Sequence, residues 1–225
     1  ATTKEKPTRA SLGGLVVLRH TGDDPPCNAI PAQRISIADI AAGKWERHVE
    51  VAEPSWPAFD TQGRLLLVSQ KRVVRLNLAD GKTEPVLPEG GVRDPRGLAF
   101  DGQGNLSVAD GGSEVVKVFS PDGKLLRMIG EPGGREVGTY NPNRIENPQG
   151  IAIDARGNLW VAENDFQPKR TSVWSPEGKF LKEFIGPSAY GGGGQVDPRD
   201  PSRIYYGGME FYLDYASGRW ALTRI

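Results

Sequence analysis

The groups best suited to chemistry in this 225-residue chain are carboxylates and amides that flank short apolar runs. Asp110, Glu163, Asn164 and Asp165 follow such runs, and Asn147 precedes one. A hard divalent cation takes oxygen ligands of these types and, once bound, polarises a carbonyl or activates water. Their spacing does not compel convergence on one ion, and no Asp-x-Asp-x-Asp-Gly calcium loop is present. We therefore expect no metal and no cofactor, and read these residues first as turn and surface polar groups.

Other catalytic sets fail on inventory. The two histidines, His20 and His48, sit at the end of an apolar run and in a predicted outer strand, which leaves a His-based zinc site or general base unsupported. Cys27 is the single cysteine; it excludes an internal disulfide and any multi-thiolate zinc site, and no base adjoins it. There is no Gly-x-Ser-x-Gly elbow. Gly191 to Gly194 lack the Lys-Ser/Thr ending and the helix that would make them a phosphate loop.

Binding chemistry is better represented. Trp45, Trp56, Trp160, Trp174 and Trp220 offer flat apolar faces of the kind that stack on sugar rings. Trp160 and Trp174 lie within apolar runs and are expected to pack between sheets, leaving Trp56 as the exposed candidate. Arg93, Arg96, Arg135, Arg144 and Arg199 would make a basic patch, but 28 Lys and Arg balance 28 Asp and Glu, so no nucleic-acid partner is expected. The longest apolar run, Leu15 to Leu18, is far short of the roughly 18 residues that cross a bilayer as a helix, so no membrane insertion is expected. The chain starts Ala1-Thr2-Thr3-Lys4, without Met or an apolar leader, which reads as a mature exported chain (secreted or periplasmic) or an excised segment.

These residues are positioned by a repeat. Pro95-Arg96-Gly97-Leu98-Ala99-Phe100-Asp101-Gly102-Gln103-Gly104-Asn105-Leu106-Ser107-Val108-Ala109-Asp110 matches Pro148-Gln149-Gly150-Ile151-Ala152-Ile153-Asp154-Ala155-Arg156-Gly157-Asn158-Leu159-Trp160-Val161-Ala162-Glu163. Trp56 to Val68 is a weaker copy and Asp197 to Tyr206 a degenerate one. Each reads as a short strand, an Asp-x-x-Gly turn and a second strand, apolar at nearly every position, as when both sheet faces are covered. A second hairpin follows, turning at Gly43, Gly81, Gly123, Gly178 and Gly218. These glycines recur about every 40 residues, with one interval of about 55, which is the period of a four-stranded propeller blade. The reading is an all-β protein, a β-propeller of four-stranded blades with about five repeats visible. Approximate blades are 35–51, 53–87, 94–129, 147–185 and 197–225, in a single domain 1–225 whose first 34 residues match poorly.

The segments Asn147-Pro148-Gln149-Gly150-Ile151-Ala152-Ile153-Asp154 and Gly157-Asn158-Leu159-Trp160-Val161-Ala162-Glu163 resemble the NHL-repeat family of β-propellers. The pattern is loosely similar to gluconolactonase-like and streptogramin-lyase-like six-bladed propellers as well. The resemblance implies about six blades, so five visible repeats fit a five-bladed ring or part of a six-bladed or larger one. It also implies that the loops leading into each first strand and those joining second to third strands gather at one channel mouth. Trp56, Arg93, Arg96, Asp110, Gln149, Glu163, Asn164, Asp165 and Phe166 fall on such loops and form the expected ligand site. The insertions Gly130 to Glu146, with Tyr140, and Pro187 to Pro201, with Tyr190, read either as mobile recognition loops or as tolerated loop growth. The function expected is a binding scaffold for a protein or a small polar ligand. The alternatives are a metal-dependent lactonase or hydrolase and a carbohydrate-binding propeller. The paucity of histidine weighs against streptogramin-lyase-like and amidating-lyase-like chemistry.

Overall fold

A computed structural model describes residues 9–12, 15–19, 34–39, 44–164, 168–186 and 194–225. These residues form five four-stranded antiparallel sheets, and among them there is no helix. The first sheet runs β1 (Arg9–Leu12), β2 (Leu15–Arg19), β3 (Arg34–Asp39), β4 (Lys44–Glu50). The second is β5 (Ser55–Phe59), β6 (Leu65–Ser69), β7 (Arg72–Leu76), β8 (Thr83–Pro85). The third is β9 (Pro95–Phe100), β10 (Leu106–Asp110), β11 (Val115–Phe119), β12 (Leu125–Ile129). The fourth is β13 (Pro148–Ile153), β14 (Leu159–Glu163), β15 (Lys169–Trp174), β16 (Phe180–Gly186). The fifth is β17 (Gln195–Val196), β18 (Arg203–Tyr206), β19 (Met209–Asp214), β20 (Arg219–Arg224). Strands pair in sequence order, so each sheet is a simple meander of the kind that makes a propeller blade.

The turn chemistry read from the repeat is what closes the first hairpin of three sheets. Asp60 Oδ1 accepts the amides of Gln62 and Arg64, Asp101 Oδ1 those of Gln103 and Asn105, and Asp154 Oδ1 those of Arg156 and Asn158. The glycines that follow, Gly63, Gly104 and Gly157, take φ of 75°, 82° and 80°. That left-handed conformation costs a side-chain-bearing residue more than glycine.

The runs are apolar throughout because each sheet is packed on two sides. In the third sheet, Leu106, Val108 and Phe119 join Leu66, Val68 and Val73 of the second. Its opposite face sends Val116, Val118 and Ile129 against Leu159, Val161 and Trp174 of the fourth. Ile35, Ile37 and Val49 of the first sheet meet Leu65, Leu67 and Leu76 of the second in the same manner. Full burial of each such side chain contributes roughly 1.5–3 kcal/mol, so these three seams hold the array together.

The succession loosens beyond the fourth sheet. Ala99, Ala109 and Ile129 are buried where the third sheet meets the fourth. Their counterparts on the fourth, Ala152, Ala162 and Phe184, are exposed. Trp160 lies on this open face, stacked on Phe184 with ring centroids 5.8 Å apart, whereas Trp174 is buried in the seam. The fifth sheet is tied on by the insertion between β12 and β13. Gly138 exchanges backbone hydrogen bonds with Ile225, and the Tyr140 amide donates to the Thr223 carbonyl, beside the β20 edge.

Candidate functional site

The first strands of three sheets carry a β-bulge at the same place. Register jumps between Ser55 and Ala58, between the partners Pro95 and Leu98, and between Pro148 and Ile151. The extra residue in each case belongs to the pairs Trp56-Pro57, Arg96-Gly97 and Gln149-Gly150. A bulge bends its strand and redirects a side chain. Three residues expected at the channel mouth, Trp56, Arg96 and Gln149, are therefore equivalent positions on successive sheets. Trp56 holds an unusual φ of 49°, and its ring reaches across to the fourth sheet, 3.8 Å from where a Cβ on Gly150 would stand. It is half-buried against the core between the second and third sheets.

Asn147 gathers the other two. Its Oδ1 accepts from Gln149 Nε2 at 3.0 Å and from Arg96 Nη1. Arg96 also donates to Asp94 Oδ2 from Nε and Nη2, at 3.0 and 2.8 Å. Asn147 itself takes a φ of 47°, and its amide donates to Glu114 at 2.5 Å. Burial, with the nearby Glu146 and Glu163 charges, raises the Glu114 carboxyl above its ordinary range although the Asn147 amide and Arg96 pull it down.

The two buried acids of the expected site are both engaged within the fold. Asp110 is fully buried; it accepts the amides of Arg93, Asp94 and Gly112 and pairs with Lys117 Nζ at 2.7 Å. Burial alone would raise its carboxyl, but Lys117, the Asp94 amide and Ser113 more than offset this and hold it low. Glu163 accepts the Glu146 amide at 2.9 Å, Arg170 Nε at 2.7 Å, Ser172 Oγ at 2.8 Å, and Arg135 Nη2. Ser69 is the equivalent residue of the second sheet, and its hydroxyl donates to the Ala52 carbonyl at 2.6 Å. All three side chains thus grip the backbone 17 residues upstream, in the loop leading into their own sheet. Their lone pairs are taken up by amides, hydroxyls and cations. Among the described residues, no group of three or more His, Cys, Asp or Glu is arranged to hold a metal.

Arg93 and Asn164 are exposed at the edge of this region, the latter bonded through its backbone to Asn147. Asp165 and Phe166 lie outside the described residues, as do Tyr190, His20 and Cys27. His48 is on β4, far along the sheet order from the bulges, with Nδ1 2.8 Å from Ser36 Oγ.

The Gly130 to Glu146 insertion is pinned. Arg170, whose side chain is fully buried, donates to the carbonyls of Pro142 and Arg144, to the Tyr140 hydroxyl and to Glu183. Burial works against its charge, but Glu163, Tyr140 and Glu183 raise its affinity for the proton. Burial, opposed by the Arg170 charge and helped by Glu183, raises the Tyr140 phenol above its usual range. Sequence reading passed over Arg170 and Glu114, whereas Asp94 falls on an entry loop expected at the channel mouth.

Comparison with known proteins agrees with this geometry at the level of fold. The sheets and their seams define a β-propeller. No family model matches the chain. A 96-residue stretch is 25% identical to the protein brain tumor of Drosophila melanogaster, covering 43% of this chain and 9% of that protein. Virginiamycin B lyase from Staphylococcus aureus superposes with a TM-score of 0.56 at 15% identity, over 96% of this chain and 69% of the lyase. A catalytically inactive His-to-Ala variant of that lyase, bound to quinupristin, gives 0.54 at 18% identity, over 96% of this chain and 68% of the variant. A chain of a nidogen–laminin complex gives 0.52 at 19% identity, over 84% of this chain and 74% of that one.

Proposed function

We propose that the chain is a propeller scaffold, akin to NHL-type propellers, whose bulge face binds a polar ligand or an extended segment of a protein partner. The observation that carries this reading is the equivalence of the three bulges. They bring an aromatic face, a guanidinium and an amide to one end of three adjacent sheets, with Asn147 linking two of them. Half-buried polar groups around an aromatic floor suit recognition of main-chain and side-chain amides. The buried acids support the scaffold over the metal hydrolase, because Asp110 and Glu163 are engaged in holding their own sheets. Among the described residues the one histidine, His48, lies on an outer strand away from the bulges.

The test is a peptide array probed with the protein and with Trp56→Ala and Gln149→Ala. We expect a set of peptides that binds the parent and loses at least tenfold in affinity with either variant. Gln149→Ala should keep the parent's thermal unfolding curve, and Trp56→Ala, which also loses core packing, should unfold at a lower temperature while still folded at the assay temperature. Turnover of a lactone or depsipeptide by the parent protein, abolished by Glu163→Gln in a folded variant, would overturn the reading in favour of an enzyme.

A further inference from the structure

At the opposite end of the sheets, near the Asp-x-x-Gly turns, a groove of about 450 Å³ separates the third sheet from the fourth. Its floor is apolar, made by Val118, Ile129, Ile153 and Leu159, and Gln103 and Ser175 stand at its rim. Arg127 projects into it from β12.

The repeat gives a control for Arg127. The equivalent fourth-strand positions are set by the cross-strand pairs Arg75 with Glu84, Val118 with Arg127, and Val173 with Lys182. In the second sheet Arg75 Nε is likewise buried and unbonded, but the charge is paired, with Arg75 Nη1 3.3 Å from Glu84 Oε2. In the fourth, the Lys182 ammonium rests over the rings of Trp160 and Phe184, at 5.7 and 5.2 Å. In the third, the partner across the ladder is a valine. Arg127 Nε is buried and has no hydrogen-bond partner, and among the described residues the guanidinium makes no ion pair. Two acids, Asp101 and Glu177, also line the groove, each bonded within its own turn and neither hydrogen-bonded to Arg127. Asp101 accepts the Gln103 and Asn105 amides and the Asn105 side chain. Glu177 accepts the Ser175 hydroxyl at 2.7 Å and feels Arg127 only through space.

A half-buried guanidinium with an orphaned N–H, over an apolar floor, is complementary to a carboxylate on a short hydrocarbon stem. We propose that this groove is a binding site for a small organic carboxylate, the acid group on Arg127 and the stem on Val118, Ile129 and Ile153. Its volume lies within the usual range for small-molecule sites. It is independent of the bulge face, from which it is separated by the length of the strands. The carboxylate could belong to a free acid or to a peptide chain end, and the two differ only in what leaves the groove.

The readout is the Arg127 Nε–H resonance in a ¹⁵N-labelled sample, assigned by its loss in Arg127→Lys. Titration with butyrate is expected to move that resonance saturably, in the millimolar range. Butyramide, of the same shape and uncharged, is expected to bind at least tenfold more weakly, and Arg127→Met to abolish saturation reported by neighbouring methyl groups. Tighter binding of N-acetyl-glycyl-valine than of butyrate would assign the site to chain ends; equal or weaker binding would assign it to free acids. Because Met supplies similar bulk without an unpaired N–H, Arg127→Met should unfold at the same temperature as the parent or higher. No shift of the Nε–H, equal effects of butyrate and butyramide, or a marked fall in the melting temperature of Arg127→Met would each overturn the proposal.

Discussion

Asp110 and Glu163 were legible as acids at a fixed place in the repeat, but their partners were not. Sequence gives their type and position; the amides of Arg93, Asp94 and Glu146 that they accept come from loops 16 or 17 residues away. Removing the charge of Glu163 leaves Arg170 and Arg135 buried without it, so Glu163→Gln is expected to cost about 3–5 kcal/mol in urea unfolding. Asn164→Ala, one residue on and exposed, should stay within about 0.5 kcal/mol of the parent. Acid should act through several lowered carboxyls. Asp154 is held at about 2, first by the Trp160 indole N–H and then by Asn158, and Asp110 shifts the same way. Their unfolded-state values lie higher, so the stability they add is full above those values and disappears as pH falls through the folded ones. Glu114 runs opposite: its raised carboxyl makes the ionised form unfavourable, so folding gains as pH falls through the folded value. Glu114→Gln should therefore raise the melting temperature at pH 7, and the gain should vanish at pH 3.

Among the strands and turns, what sequence conveyed best was local chemistry. The Asp-x-x-Gly turns and the second hairpins of the second, third and fourth sheets stand where the repeat placed them, because the turn residues supply both the acceptor and the positive φ. β1 and β2 carry no such turn, and the stretch containing them matched the repeat poorly. The bulges of β9 and β13 were written only indirectly, as Pro-x-Gly, and that of β5 not at all. Gly97 explains the glycine: a Cβ there would lie 2.3 Å from the Gln149 carbonyl oxygen and 2.9 Å from the Ile151 amide nitrogen. Side chains cannot fit between β9 and β13 at that level. At Gly150 a Cβ would meet nothing nearer than the Trp56 ring at 3.8 Å. Gly97→Ala should thus destabilise by about 3 kcal/mol or more, as overpacking does, and Gly150→Ala by less than about 1 kcal/mol. Equal losses in denaturant titrations would show that the fifth sheet closes on the fourth as the fourth does on the third.

For the molecule as a whole, stability is distributed unevenly along the array. The seams between the first four sheets are continuous apolar cores, whereas β18 to β20 keep Tyr205, Tyr212 and Trp220 largely exposed. Hydrogen exchange should follow this gradient, with amides of β10 and β11 opening only by global unfolding and those of β18 to β20 by local excursions of lower free energy. Uniform protection across both regions would contradict it. The pinned insertion adds a practical consequence. Between the anchor of Arg135 and the backbone pairing of Gly138 with Ile225 lies Val137, 94% exposed, on the near side of the tie to the fifth sheet. Extra residues placed there lengthen a span whose two ends are already fixed, and each doubling of such a span costs only about 0.6 kcal/mol. A fluorescent reporter or epitope could therefore be spliced in at this point, turning the protein into a sensor body without disturbing its sheets.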